Sequence, residues 1–209
     1  MRSESPPNEE YAFFHTTSWC RDLLLDPNLQ TFVPSSRTIK ADTEDSLFAR
    51  TLNSGSSTIS HCLAFHPRPH PHTETIPYLS LLLALGEDMN GFAGILHGGI
   101  VAALLDEAMG VLLTRNDDLS HVRAVGQGKR DGEFAETLGQ YTVQLNVKYK
   151  GPIKTPGFVL ARAEFVRKEG RKVWIKAIIQ QKEHKGGEGE LVTCAEGEGV
   201  FVEPRAGKL

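Results

Sequence analysis

The chain has 209 residues, of which 40% are hydrophobic and 23% are charged, with a formal net charge of −3 and a sequence pI of about 6.2. These values are typical of one globular domain, with an appendage, that is long enough to bury a core. They disfavour nucleic-acid binding, because neutralising phosphates normally requires a basic excess, and no apolar run reaches the roughly 18 residues of a membrane span.

The N-terminal part of the sequence predicts a tail followed by short helices. Residues 1–9 are polar, contain two prolines and are expected to be disordered. Residues 11–25 carry apolar side chains at helical spacing before an Asp-Pro stop, and residues 41–55 predict a second short helix. We therefore assign residues 1–58 to a tail and helical extension, and residues 59–205 to the main domain.

Three histidines lie in a proline-rich stretch that begins at His66. His66, His70 and His72 are candidate metal ligands, but no cysteine or carboxylate lies at ligand spacing from them. A solvated loop is therefore the favoured interpretation, and no metal is expected. The apolar run over residues 78–89 that follows predicts a buried strand.

The second half of the stretch GFAGILHGGIVAALLDEAMG, residues 91–110, predicts a helix that is apolar nearly all round yet contains Asp106 and Glu107. An aspartate inside a helix is a poor helix former, and burying it without a partner is costly. The two carboxylates mark either a narrow solvated stripe or a functional group. No lysine or arginine occurs between residues 92 and 114, so a solvated stripe would be unusually thin.

The pair Gly98-Gly99 precedes this apolar segment. Two glycines weaken a helix interior by about 1 kcal/mol each, but they suit a helix start. The first N–H groups of a helix have no internal partner, and glycine lets a ligand atom approach them closely. Both amides are therefore candidate donors to a developing oxyanion, and a tight turn into the helix is a compatible alternative.

The spacing between these features predicts an assembly. Gly98 and Asp106 are eight residues apart, which is about 12 Å along a helix. One reacting carbonyl cannot lie about 3 Å from both groups of the same helix. If both serve one reaction, the aspartate comes from a second chain, and the sequence implies a homodimer with two shared sites.

The C-terminal third predicts antiparallel strands. The segment YTVQLNVKYK (141–150) alternates, with Thr142 on the polar face, and three further strands follow it. Residues 114–140 are polar and contain several glycines, so they predict a long connection, with residues 115–138 as a mobile lid or tunnel wall. One long helix followed by strands indicates an α+β fold in which a sheet wraps a central helix.

The combination of LHGG, LLDEAMG and a strand ending in YKGPIK resembles the hotdog-fold acyl-CoA thioesterases. The branch that includes the phenylacetate-pathway thioesterases and the mammalian thioesterase superfamily members 4 and 5 is the most similar, over about residues 60–203. The resemblance implies a hotdog fold, paired as a dimer. The N-terminal helical extension lies outside the matched core.

The resemblance also implies roles for individual residues. Asp106 corresponds to the catalytic carboxylate, which activates water as a general base or attacks directly. The Gly98 amide corresponds to the oxyanion donor, with His97 near the thioester carbonyl. Thr142 corresponds to a hydroxyl that places the water or orients the aspartate. Asn90 and Gly99 are also expected to contact substrate. Coenzyme A phosphates need basic partners, and the candidates are the cations predicted to form one cluster near strand ends around KYKGPIK and GRK: Lys148, Lys150, Lys154, Arg171 and Lys172. A solvated face of the sheet is an equally open interpretation of these cations.

The sequence therefore predicts hydrolysis of acyl thioesters, on coenzyme A or on a carrier protein, without a cofactor. The alternatives are a product-releasing thioesterase of a biosynthetic pathway, a hotdog dehydratase or hydratase that uses a histidine base, and a non-catalytic acyl-binding protein. A homodimer or a dimer of dimers is expected. Three widely spaced cysteines and the lack of a signal sequence favour the cytoplasm, and the terminal Gly-Lys-Leu is only a weak peroxisomal signal.

Overall fold

The computed structural model describes residues 8–41, 44–70, 75–128, 139–183 and 189–204. In chain order the helices are α1 (Asn8–His15), α2 (Ser18–Leu24) and α3 (Gly98–Gly126), and the strands are β1 (Leu29–Phe32), β2 (Ile59–Pro67), β3 (Tyr78–Leu85), β4 (Asn90–Phe92), β5 (Ile95–Leu96), β6 (Tyr141–Tyr149), β7 (Gly157–Glu169), β8 (Lys172–Lys182) and β9 (Leu191–Val202). No helix in this part of the chain is long and apolar enough to cross a membrane.

Seven strands form one antiparallel sheet in the order β1-β2-β3-β7-β8-β9-β6, and β4 and β5 form a separate hairpin. The sheet wraps around α3, which packs against β3, β7, β8 and β9. We call the face of the sheet that contacts α3 the inner face and the opposite face the outer face. One long helix enclosed by an antiparallel sheet is the hotdog fold that the sequence predicts.

Helix α3 is buried along one side because its apolar residues recur every three or four positions. Two glycines of β9, Gly197 and Gly199, allow the helix to come close to the sheet. A Cβ atom at Gly199 would lie 2.6 Å from Met109 Sδ. The buried residues of α3 in this region are Val101, Leu104, Leu105, Ala108, Met109 and Leu112.

The N-terminal helices cover the outer face. Phe14 of α1 and Cys20 and Leu24 of α2 are buried against side chains of β2, β3 and β7, including Phe65 and Leu82. These strands are therefore covered on both faces, as in the interior of a layered protein. A strand covered on both faces lacks the alternation of polar and apolar residues, which is why the sequence pattern failed to predict β2.

The N-terminal extension differs from its prediction in three places. The single helix expected over residues 11–25 is two helices, because the Thr16 hydroxyl donates to the Phe13 carbonyl and Thr17 has an extended backbone. The second expected helix is only a π-helical turn at Leu47–Thr51. Strand β1, also not predicted, joins β2 and so extends the main sheet into the N-terminal part of the chain. Residues 1–7 lie outside the described residues.

The first part of the long connection predicted after the apolar part of α3, residues 114–126, is helical. The helix continues to Gly126 because its polar residues find buried partners. The Arg115 guanidinium lies 4.4 Å from the ring centroid of Phe32, 3.3 Å from His66 Nε2 and 3.9 Å from the Asp118 carboxylate. The prediction of a mobile lid is therefore wrong for residues 115–126, and residues 129–138 lie outside the described part of the chain.

Strand β6 contains a bulge that changes which side chains face the helix. Thr142 pairs with Phe201 and Gln144 pairs with Val200, so Val143 is the extra residue. The strict alternation predicted for this strand is broken at that point. As a result, Thr142 lies on the inner face with its buried neighbour Phe201, and not on the polar face where the sequence pattern placed it.

The close packing of α3 on β9 makes Gly199 sensitive to substitution. We expect Gly199→Ala to lower the free energy of unfolding by about 1–3 kcal/mol, because the added methyl group must displace Met109 or Phe201. Gly151→Ala is the matched control, since a Cβ atom there meets nothing within 4 Å. Denaturant unfolding of the two variants measures the difference. Equal stability of both variants would contradict this account of the helix–sheet contact.

Candidate active site

The start of α3 holds one free amide and one capped amide. His97 is the N-cap residue, and its Nδ1 accepts a hydrogen bond from the Gly99 N–H at 2.9 Å. The Gly98 N–H, in contrast, has no acceptor among the residues that the structure describes. The sequence suggested that both glycine amides were available. Only the Gly98 amide is free to bind a ligand at this position.

A cavity of about 610 Å³ adjoins the Gly98 amide, between α3 and the segment that follows β6. Tyr149 lines it and donates its hydroxyl to the Gly98 carbonyl at 2.9 Å. Phe92, which is 79% exposed, forms part of its rim. No local sequence pattern indicates a role for Tyr149, because the contact joins residues 51 positions apart.

The β4–β5 hairpin positions His97 beside this cavity. The His97 N–H donates to the Met89 carbonyl at 2.9 Å, and a Cβ atom at Gly91 would lie 3.1 Å from the His97 ring. Asn90, a predicted substrate contact, accepts a hydrogen bond from the Thr155 hydroxyl through its side-chain oxygen. The side-chain amide nitrogen of Asn90 therefore remains as a donor.

The carboxylate of Asp106 lies at the other end of β6. Its Oδ1 accepts a hydrogen bond from the Thr142 hydroxyl at 2.9 Å. Burial raises the pKa of Asp106, and the hydrogen bond from Thr142 opposes this rise. The bulge at Val143 makes the contact possible, because it turns Thr142 towards α3.

Helix α3 and strand β6 run antiparallel, so one chain carries two separated halves of a site. The Tyr149–Gly98 hydrogen bond marks one half, and the Thr142–Asp106 hydrogen bond marks the other. Eight residues of helix separate Gly98 from Asp106, which corresponds to about 12 Å. The structure therefore pairs Asp106 with Thr142 and holds His97, through its hydrogen bond with Gly99, next to Gly98, but it does not bring the two groups together within a chain.

Glu107 faces a cavity that its neighbour Asp106 does not line, since consecutive helical residues point about 100° apart. Its carboxylate accepts a hydrogen bond from the buried Ser36 hydroxyl of the N-terminal extension. The cavity here has a volume of about 240 Å³ and is also lined by Asp45 and Asp118. Burial raises the pKa of Glu107 to about 7, even though the Ser36 hydrogen bond lowers it.

The five cations predicted to bind coenzyme A divide between the two ends of the sheet. Lys172 and Tyr141 both pair with Val202, whereas Tyr149 pairs with Ala195. At about 3.3 Å per residue, the ends of β6 are roughly 25 Å apart. The prediction of one cluster is therefore wrong within a single chain. Lys148, Lys150 and Lys154 lie at the end near Gly98, and Arg171 and Lys172 lie at the end near Thr142.

His66 is part of strand β2 and not of a solvated loop. It is fully buried, its Nδ1 lies 2.8 Å from the Pro67 carbonyl oxygen, and burial lowers its pKa to about 4. His72 lies outside the described residues. Among the residues that are described, no three His, Cys, Asp or Glu side chains form a group able to hold a metal ion.

The raised pKa of Glu107 predicts a pH dependence of stability. A carboxyl group with a folded pKa of about 7 binds more protons in the folded protein than in the unfolded one, so its stabilising contribution is complete below about pH 4.5 and is lost as the pH rises through 7. We expect Glu107→Gln to gain up to about 3 kcal/mol relative to wild type between pH 5 and pH 8. Urea unfolding at both pH values measures this gain. The exposed Glu87→Gln variant is the control, and a gain of equal size there would contradict the assignment.

Comparison with known proteins matches the region that contains both half-sites. Residues 93–187 match the model of the thioesterase superfamily. Verlamelin biosynthesis protein B from a Lecanicillium species is 33% identical over 134 residues, covering 57% of this chain and 58% of that protein. An uncharacterized protein of Schizosaccharomyces pombe is 28% identical over 117 residues, covering 56% and 55%. The aligned region thus spans just over half the length of the relatives it matches.

Two solved structures are similar to part of this chain. A hypothetical thioesterase from Streptococcus pneumoniae, solved with coenzyme A, has a TM-score of 0.45 and 12% identity over 63% of this chain and 84% of that one. A Bacillus halodurans protein solved with CoA has a TM-score of 0.40 and 26% identity over 61% and 68%. Residues 93–187 of this chain match the superfamily model, so the resemblance inferred from the sequence is confirmed at the level of the thioesterase superfamily. These comparisons do not distinguish a branch within it.

Proposed function

We propose that this protein hydrolyses acyl thioesters to a free acid and a thiol, in a site shared between two chains. The observation that carries the proposal is that one helix carries both a hydrogen-bonded, partly buried Asp106 and, at its start, the free Gly98 amide. A carboxylate and a preorganised N–H donor are the two groups that acyl transfer to water requires. The match of residues 93–187 to the thioesterase superfamily supports the same chemistry.

In the proposed mechanism, the Thr142 hydroxyl fixes Oδ1 of Asp106 and leaves Oδ2 to act on water. Asp106 removes a proton as the water attacks the thioester carbonyl, and the resulting oxyanion accepts a hydrogen bond from the Gly98 N–H. The C–S bond then breaks and the thiol leaves with a proton. Direct attack by Asp106, which forms an anhydride that water hydrolyses, uses the same groups.

His97 contributes a donor and not a base. Because its Nδ1 accepts the Gly99 N–H, the neutral ring carries its proton on Nε2. That proton can be donated to the thioester carbonyl. The same hydrogen bond argues against a hotdog dehydratase, since the expected histidine base is already occupied at Nδ1. A purely acyl-binding protein would have no use for the cost of a partly buried Asp106.

Cysteine nucleophiles are disfavoured for the same reaction. Cys20, Cys62 and Cys194 are all buried, and burial raises the pKa of Cys20 and Cys62 to about 12. A thiol with such a pKa forms almost no thiolate at neutral pH. Asp106 therefore remains the stronger candidate for activating water or attacking the carbonyl.

A homodimer joins the two half-sites. Strand β6 lies at the edge of the sheet and exposes Tyr141, Val143 and Tyr149. An unpaired edge with apolar side chains is a template for a second strand. Antiparallel pairing of β6 with its copy sets the Thr142 end of one chain beside the Tyr149 end of the other, and so brings Asp106 towards the partner's Gly98. The cations at opposite ends of the sheet approach each other in the same way.

A role in product release within a biosynthetic pathway is the second candidate. It uses the same chemistry and differs only in the acyl group and its carrier. The observation that favours it is the 33% identity to verlamelin biosynthesis protein B over 134 residues. Free-thiol release from a panel of acyl-CoA and acyl-carrier thioesters separates the two roles.

Replacing the proposed base is the most direct test. We expect Asp106→Asn to lower kcat at least about 100-fold, because the amide keeps the size of the side chain but accepts no proton. Asp117→Asn is the matched control. Like Asp106, Asp117 is partly buried on α3 and accepts a side-chain hydrogen bond, in its case from the Gln140 amide. Thiol release from acyl-CoA, followed with a thiol reagent, measures both. Near wild-type turnover by Asp106→Asn would remove the aspartate from the mechanism.

A second test asks whether two chains share the site. Gly98→Pro removes the proposed donor at the first helical position, where proline is tolerated. Gly98→Ala keeps the N–H, and its Cβ atom would meet Tyr149 at an ordinary 3.5 Å, so this control should stay active. Unfolding and refolding Gly98→Pro together with Asp106→Asn should restore about a quarter of wild-type activity, because half of the dimers are mixed and each has one intact site.

The mixing experiment requires that Gly98→Pro alone folds and dimerises, which gel filtration and circular dichroism establish. Differently tagged chains allow the mixed dimers to be purified before the assay. Inactive mixed dimers would mean that both groups act within one chain. In that case the shared-site mechanism would have to be abandoned, whereas loss of activity in each single variant would still support thioester hydrolysis.

A further inference from the structure

A further cavity, distinct from the one beside Glu107, lies next to the cavity beside Gly98, and the proposed chemistry does not use it. Its volume is about 690 Å³, within the range of roughly 300–1,000 Å³ that is usual for small-molecule sites. Three parts of the chain line it: helix α2, the connection between β6 and β7, and the adjoining ends of β8 and β9. The N-terminal extension thus forms one wall of this cavity.

The groups that line the cavity are those that bind nucleotides. Trp19 of α2 is partly buried, packs against the outer-face cluster and also borders the cavity. Three lysines, Lys150, Lys154 and Lys182, border it as well, against one carboxylate, Glu183. An aromatic face stacks on a base, and ammonium groups bind phosphates.

The two cavities meet at one short segment. Lys150, Gly151 and Pro152 line both the cavity beside Gly98 and the cavity beside Trp19. A single extended ligand that crosses this segment would therefore place its thioester at one cavity and its other end at the next. A thioester whose thiol carries a nucleotide, which is coenzyme A, matches the groups present at both ends.

We propose that the cavity beside Trp19 binds the adenine nucleotide of a CoA thioester, with the Trp19 ring stacked on the base and Lys154 and Lys182 contacting the phosphates. This inference rests on the proposed function and narrows it, since a carrier-protein thioester has no nucleotide to occupy the cavity. It also gives the N-terminal extension a part in substrate binding. The outer-face contacts of Phe14, Cys20 and Leu24 hold α2, and so Trp19, at the cavity wall.

The chain provides its own optical probe, because it has two tryptophans, Trp19 and Trp174. The ring of Trp174 lies 4.0 Å from the Arg167 guanidinium, on the part of β8 that pairs with the distal half of β7. We expect CoA to quench the fluorescence of wild type and of Trp174→Phe to a similar extent. Trp19→Phe should lose most of the quenching, while keeping the packing of an aromatic ring on the outer face.

Calorimetry with CoA and with pantetheine measures the contribution of each group. Trp19→Ala should weaken CoA binding by about 5- to 100-fold and leave pantetheine binding unchanged. Lys154→Ala and Lys182→Ala should weaken only CoA. Lys168→Ala, at an exposed lysine bound to Glu203, is the control. Circular dichroism and gel filtration verify that each variant folds. If Trp19→Ala is unstable, the Trp19→Phe and lysine variants still test the nucleotide site.

The outcomes separate this inference from the proposed function. Equal CoA affinity of wild type, Trp19→Phe and the two lysine variants would overturn the nucleotide site, even if the enzyme hydrolyses thioesters. Hydrolysis of carrier-bound or pantetheine thioesters without measurable CoA binding would overturn it too. Selective loss of CoA binding in the variants supports the nucleotide site. If the variants show this loss but the wild type hydrolyses no thioester, the proposed function fails and the nucleotide site stands.

Discussion

The antiparallel contact between α3 and β6 determines where chemistry can occur in this protein. One hydrogen bond ties the Gly98 carbonyl to Tyr149, and another ties Asp106 to Thr142 at the opposite end of the strand. The helix core is held by apolar packing against the sheet, so these polar groups cannot approach each other by bending the helix. The separation of about 12 Å is thus fixed by helical geometry, and the proposed shared site therefore requires a second chain at the edge strand.

The same helix places two consecutive carboxylates in different surroundings. Asp106 faces the exposed edge of the sheet and a threonine hydroxyl, whereas Glu107 faces Ser36 and an acidic cavity. Burial raises the pKa of both groups, and for Glu107 it raises it to about 7. Burying a carboxylate lowers the stability of the folded protein, and a protein retains such a group only where another interaction or a function offsets this loss. For Asp106 the offset is the proposed chemistry, and for Glu107 it is the attachment of the N-terminal extension to α3.

Local patterns predicted the parts of the fold that depend on local physics. The glycine pair predicted the start of α3, and the alternation and turn residues predicted β7, β8 and β9. Strand β2 was missed because apolar side chains cover both of its faces, which removes the alternation. The end of α3 was missed because Arg115 is stabilised by the distant His66 and Phe32, and the inward turn of Thr142 depends on a bulge that no local pattern encodes.

The N-terminal extension contacts both sides of the sheet. Helices α1 and α2 pack on the outer face, β1 continues the sheet edge beyond β2, and Ser36 reaches Glu107 on the side of α3. Arg37 fastens the segment by donating to the Phe48 and Ile59 carbonyls. A segment with so many long-range contacts is shaped by the surface it covers. One continuous stretch of chain therefore lines both the cavity beside Trp19 and the cavity beside Glu107.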